Sequence, residues 1–78
     1  TDGNQTKVSG TLNGVWIWNE HLGAKVEVVD LTGRVLASQE SLPISGASPT
    51  TIPVNVSGLH VVRILRNDQV EGHLVFIE

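Results

Sequence analysis

Lys25-Val26-Glu27-Val28-Val29-Asp30-Leu31-Thr32-Gly33-Arg34-Val35-Leu36 is the stretch whose reading decides the fold. Successive side chains of an extended chain point to opposite faces, so Val26 and Val28 share one face while Lys25, Glu27 and Val29 share the other. The alternation stops at Asp30. Asp30-Leu31-Thr32-Gly33 has turn composition, and Gly33 supplies a positive φ that costs a residue with a side chain roughly 1–2 kcal/mol. Arg34 then opens a returning strand. Strand, tight turn and strand make an antiparallel hairpin with one wet face. Asp30 and Arg34 flank the turn and can pair, but an exposed ion pair contributes only about 0–1 kcal/mol and does not define a site.

Outward from this hairpin the same grammar repeats. Short β-branched runs separated by turn residues predict strands over 6–12, 15–19, 24–30, 34–39, 50–54, 60–65 and 69–77. Asn13-Gly14 is expected to turn the first strand into the second, because both residues tolerate positive φ. Asn67-Asp68 is expected to turn the sixth into the seventh. The longest loop is placed at 40–49, which holds Pro43, Gly46, Pro49 and three serines. No apolar stripe at i, i+3, i+4 and i+7 is long enough for a three-turn helix. The fold class is therefore all-β, a small seven-stranded antiparallel β-sandwich of Ig-like type occupying residues 6–78. Residues 1–5 are polar and read as a linker or frayed terminus.

The sixth strand carries Val62 and Ile64 on one face and Leu59, Val61 and Leu65 on the other, so it is expected at the centre of a sheet. Arg63 within it needs a partner or a route to water. The seventh alternates Leu74 and Phe76 against Val75 and Ile77, so the last residues are built into the domain rather than left to fray.

A chain of 78 residues is one domain, and it contains no cysteine for a disulfide or a thiolate metal site. Its stability must come from a Val, Ile and Leu core. A formal charge of −3 argues against nucleic acid or an anionic membrane surface as partner. No run approaches the ~20 apolar residues of a membrane-spanning helix. The opening Thr1-Asp2-Gly3-Asn4 lacks an initiator methionine, so the chain is expected to come from a longer polypeptide. The sequons Asn4-Gln5-Thr6 and Asn55-Val56-Ser57 carry almost no weight, since such triplets arise often by chance.

Catalytic chemistry finds no constellation. His21, His60 and His73 lie on different elements without metal-ligand spacing. The carboxylates fall at turns and surfaces with no acid–base pairing. Ser38, Ser41, Ser45, Ser48 and Ser57 lack a nucleophile elbow, and no glycine-rich phosphate loop occurs. A non-enzyme without cofactor or metal is expected.

Trp16 and Trp18, two positions apart, project from one face. Each buries about 150–250 Å² when packed, so the favoured expectation is that they cap the core or lie under the long loop. The alternative is a carbohydrate- or protein-binding accessory module in which two coplanar indoles meet a ligand. That alternative gains if Val15 and Ile17 take the core side instead.

After the hairpin come Ile52-Pro53-Val54, then Val56-Ser57-Gly58-Leu59-His60-Val61-Val62-Arg63-Ile64, then Gly72-His73-Leu74-Val75-Phe76-Ile77-Glu78. This order resembles the C-terminal sorting domain of proteins exported by the type IX (Por) secretion system of Bacteroidetes. The family shows D-x-x-G-R/K-x-V, then L-x-x-G-x-Y-x-V-x-I, then a basic residue and a closing apolar strand. The resemblance covers 15–78 and is best over 30–35 and 58–64. The usual tyrosine falls on His60 and the usual lysine on His73, departures that suit a divergent copy carried by a component of the machinery.

The resemblance implies a non-catalytic address that carries an upstream passenger across the outer membrane. The implied partners are the translocon, shuttle and sortase components, with passage through the periplasm to the outer membrane, cell surface or exterior. Recognition would fall on Gly72, His73, Leu74, Val75, Phe76, Ile77 and Glu78, where a sheet edge can pair with a receptor. Asp30, Gly33, Arg34 and Gly58 would support it as structural turns. A free edge also allows the isolated domain to self-associate.

Overall fold

The structure, a computed structural model, describes residues 6–19, 23–67 and 69–78. The 1–5 segment, His21 and Asp68 lie outside the described residues. Among those described there is no helix, and seven strands follow in order: β1 (Lys7–Thr11), β2 (Gly14–Trp18), β3 (Lys25–Val29), β4 (Val35–Gln39), β5 (Thr50–Pro53), β6 (Gly58–Arg66) and β7 (Gln69–Ile77). They form two antiparallel sheets, β1-β2-β5 and β4-β3-β6-β7, which face each other as the expected sandwich. β6 lies between β3 and β7, inside its sheet as its composition predicts.

The decisive hairpin closes as its residues require. Gly33 N–H donates to Asp30 O at 3.0 Å, Asp30 N–H donates to Arg34 O at 2.9 Å, and Gly33 sits at φ 94°. A tight turn followed by a left-handed glycine is a standard three-residue hairpin loop. Just past it the register of β4 against β3 slips by one residue between Val28 and Val29. The extra residue, Leu36, turns toward the interior together with Ala37, and both pack on the core.

The core is aliphatic: Val15, Ile17, Val26, Val28, Ile52, Val54, Val62, Ile64, Val75 and Ile77 are buried between the sheets. Leu42, from the long loop, is fully buried with them. That loop is tied in at several points. Leu42 N–H donates to Ala24 O (2.8 Å), Ser45 N–H to Asn19 O (2.7 Å) and Asn19 Nδ2 to Pro43 O (3.3 Å). The Ser45 hydroxyl accepts from Asn19 N–H (3.0 Å) and donates to Ile17 O (3.2 Å). Asn19 is buried, and these bonds satisfy polar groups that would otherwise be costly to bury.

The chain's end is stitched to the opposite sheet. Glu78 N–H donates to Thr11 O and Asn13 N–H donates to Glu78 O, both at 3.1 Å, and Val54 N–H donates to Asn13 O at 3.0 Å. The two bonds flanking Leu12 have the alternation of a parallel pair, so β1 lies alongside the end of β7 and closes that side of the sandwich. Gly10 makes this approach possible: a Cβ there would stand 2.0 Å from Phe76 O.

Two expectations are corrected. The first turn comprises Leu12-Asn13, not Asn13-Gly14: Thr11 pairs with Gly14, and Asn13 alone of the expected pair takes positive φ, at 61°. Gly14 is instead a buried strand residue, selected by crowding, since a Cβ would lie 2.7 Å from Ile52 O. The second concerns the indoles. Val15 and Ile17 take the core side, so Trp16 and Trp18 stand on the outer face of their sheet, with Trp16 41% exposed. They are not coplanar: their rings meet edge to face at 78°, with centroids 5.9 Å apart.

Candidate recognition surface on the final hairpin

β6 and β7 form the longest ribbon of the molecule, nine residues each, joined at Asn67, which takes φ 51°. Their register sets Leu59 opposite Phe76, Val61 opposite Leu74, Arg63 opposite Gly72 and Leu65 opposite Val70. All eight belong to the face turned away from the core. Phe76 is 59% exposed, Leu74 66% and Val70 61%, and Leu59 is also exposed. Directly opposed side chains on neighbouring strands lie within reach of one another, so Leu59, Phe76, Val61 and Leu74 form one apolar patch, which the Arg63–Gly72 pair separates from Leu65 and Val70. Contiguous exposed apolar surface on a small protein marks a place where something docks.

A charged row on β3 borders this face and reaches into it through Arg63. Arg63 hydrogen-bonds Glu27 through Nη2, and Lys25 Nζ stands 3.7 Å from Glu27 and 3.5 Å from Glu40. Arg63 thus has the partner its position requires. β7 forms the other margin, at the end of its sheet. Among the described residues, the backbone bonds at its outer edge are those of Glu78.

The seven residues expected to be read are therefore divided. Leu74 and Phe76 face outward, Val75 and Ile77 are buried in the core, Gly72 lies opposite Arg63, and Glu78 is anchored through its backbone. His73 belongs to the inward side near the open end of the sandwich. Its Nε2 is 3.5 Å from Glu71 Oε1, and Glu71 Oε2 accepts from Arg66 Nη2 at 3.0 Å.

The supporting turns gather at the other end. Register brings the close of β3, the start of β6 and the end of β7 to one end of the sheet, which collects Asp30–Arg34, Gly58 and Glu78. Asp30 organises the turn: its Oδ1 accepts from the Thr32 hydroxyl (2.7 Å), Thr32 N–H (2.9 Å) and Arg34 N–H (2.9 Å), and its Oδ2 lies 3.3 Å from Arg34 Nε. The Thr32 hydroxyl bond, followed by the bond from Arg34 N–H, pushes the Asp30 carboxyl down to about 2, because both stabilise the charged form. Gly58 takes φ 111°. His60 is buried on the core side with Nδ1 2.9 Å from Gly58 O.

Leu59, Val61 and Leu65 on β6 and Val70 on β7 also belong to this face and were not expected as site residues. For the three on β6 the signal was that strand's two-faced apolar pattern, which reads equally well as burial on both sides. Among the described residues no group of three or more His, Asp or Glu is placed to hold a metal. Compared with known proteins, the chain matches no family model, no curated protein and no solved structure.

Proposed function

We propose that this chain is a secretion-signal domain of the type IX sorting kind, read by the export machinery through the apolar face of its last hairpin. The observation that carries the reading is the division of labour within β7. Val75 and Ile77 hold the strand in the core while Leu74 and Phe76 are presented to solvent beside Leu59 and Val61. A signal read in the folded state needs a rigid, exposed and specific surface and no reaction chemistry, and a strand fixed at both its inner face and its end supplies that. A receptor can cover the patch and add backbone bonds along the free part of the β7 edge. The order of strands, the Asp30–Arg34 turn and the Gly58 start of β6 agree with the resemblance in sequence.

The test is transplantation. The 78-residue chain is fused behind an unrelated periplasmic reporter in a bacterium that possesses type IX export. The reporter is expected at the cell surface or in the medium, and to stay in the periplasm of a strain lacking the translocon. Retention in both strains would overturn the proposal. Truncation at Gly72 is a poor substitute, because it also removes Val75 and Ile77 from the core and unfolds what it is meant to probe.

A further inference from the structure

The opposite side of the sandwich carries a second, chemically different surface, and we infer that it binds an acidic sugar residue of a glycan, stacked on Trp16 and paired with Lys7. This is independent of how the domain is read for export, since the two faces belong to different sheets. Register sets Ser9 and Thr51 on either side of Trp16, and Lys7 beside Trp18. Thr11 and Pro53 continue the same face.

The composition of this face selects the ligand. Its apolar surface is limited to the two indoles and Pro53, unlike the outer face of the last hairpin, so it suits a small ligand with one apolar side. Trp18 meets Trp16 edge to face, so the pair cannot form a flat strip for successive rings. Trp16 is left as the exposed indole, a platform for one ring. The C–H face of a pyranose is such a partner, and its hydroxyls require hydrogen-bonding neighbours, which Ser9 and Thr51 supply. The Ser9 hydroxyl makes only a long 3.4 Å contact to Gly10 O and is open to a better partner. Lys7 is the one charged side chain that the register of β1, β2 and β5 places on this face. It lies diagonally across from Trp16, a separation of roughly 7–8 Å between such positions. The flexible four-carbon stem of Lys7 can span that separation and bring its ammonium to the carboxylate of a uronic acid stacked on Trp16. Among the described residues Lys7 has no acidic neighbour on this face, and a lone cation favours an anionic ligand over a neutral one.

The experiment titrates the full chain with trimers of galacturonate, glucuronate and mannuronate, using maltotriose as the neutral control, and follows backbone amide shifts by NMR. At least one uronate trimer is expected to shift the amides of Ser9, Trp16 and Thr51. Trp16→Ala is expected to abolish the response, and Lys7→Gln to weaken it about tenfold, the size of one charge-assisted contact. Thr51→Val, which preserves shape and strand propensity, is expected to weaken binding and guards against a Trp16 variant that folds poorly. The inference is overturned if no uronate moves these amides, if maltotriose moves them equally, or if Trp16→Ala binds unchanged.

Discussion

Asp30 is held ionised by donors that exist only when the turn is formed, so its effect on stability has a definite sign. Its folded value, about 2, lies below the ordinary aspartate value of 3.8. It therefore contributes stability above pH 3.8 that is lost as pH falls through 2. Urea midpoints measured from pH 6 to pH 2 are expected to fall more steeply for the wild type than for Asp30→Asn, and parallel curves would contradict this. Gly10 makes a steric prediction. Gly10→Ala places a methyl group into the Phe76 carbonyl and is expected to cost about 1–3 kcal/mol, read as a shift in denaturation midpoint. Gly33→Ala meets no atom within 4 Å and carries only the backbone cost of its φ, about 1–2 kcal/mol. These cases show what the sequence makes legible. The roles of Asp30 and Gly33 are visible in five consecutive residues, because a turn is local chemistry. The role of Gly10 is set by a strand more than sixty positions away, and a glycine inside a strand hints at close approach without naming the neighbour.

β7 shows how one element can serve two partners. Its inner face belongs to the core, so Ile77→Ala is expected to lower stability by about 2–5 kcal/mol. Its outer face belongs to solvent, so Leu74→Ser is expected to stay within about 0.5 kcal/mol of the wild type in the same assay. If the two changes cost the same, the assignment of faces is wrong. Period-two patterning found every strand because each is short, β-branched and bounded by turn residues. It did not say which face of β2 would be buried: valine and isoleucine at 15 and 17 compete with two tryptophans at 16 and 18, and aliphatic side chains fill the narrow space between sheets better than indoles. Nor did it distinguish, in β6, a strand buried on both sides from one buried on a single side with a sticky exterior. A two-layer sandwich covers only one face of each sheet, and that fact belongs to the assembled fold. Leu42 was missed for a related reason, since a residue flanked by serine and proline reads as loop until a sandwich exists for it to plug.

For the whole molecule, closure and presentation are linked. The backbone bonds among Thr11, Asn13, Val54 and Glu78 fasten the end of β7 to the three-stranded sheet, which fixes the strand that carries Leu74 and Phe76 on its outer face. The two outer faces then divide the remaining surface, one largely apolar and crossed by the Lys25–Glu27–Arg63 row, the other bearing two indoles and hydroxyls. Native-state hydrogen exchange is expected to protect the Asn13 and Glu78 amides as strongly as those of β6, and exchange at loop rates would show that the closure is not maintained. The central claim is that the exposed face of the last hairpin is what the export machinery reads. Its most direct test is the export of a fused passenger bearing Leu74→Ser and Phe76→Ser together, with the melting temperature of the domain measured alongside. The account predicts a domain that melts within a few degrees of the wild type while its passenger accumulates in the periplasm, whereas wild-type export of the double variant would contradict it.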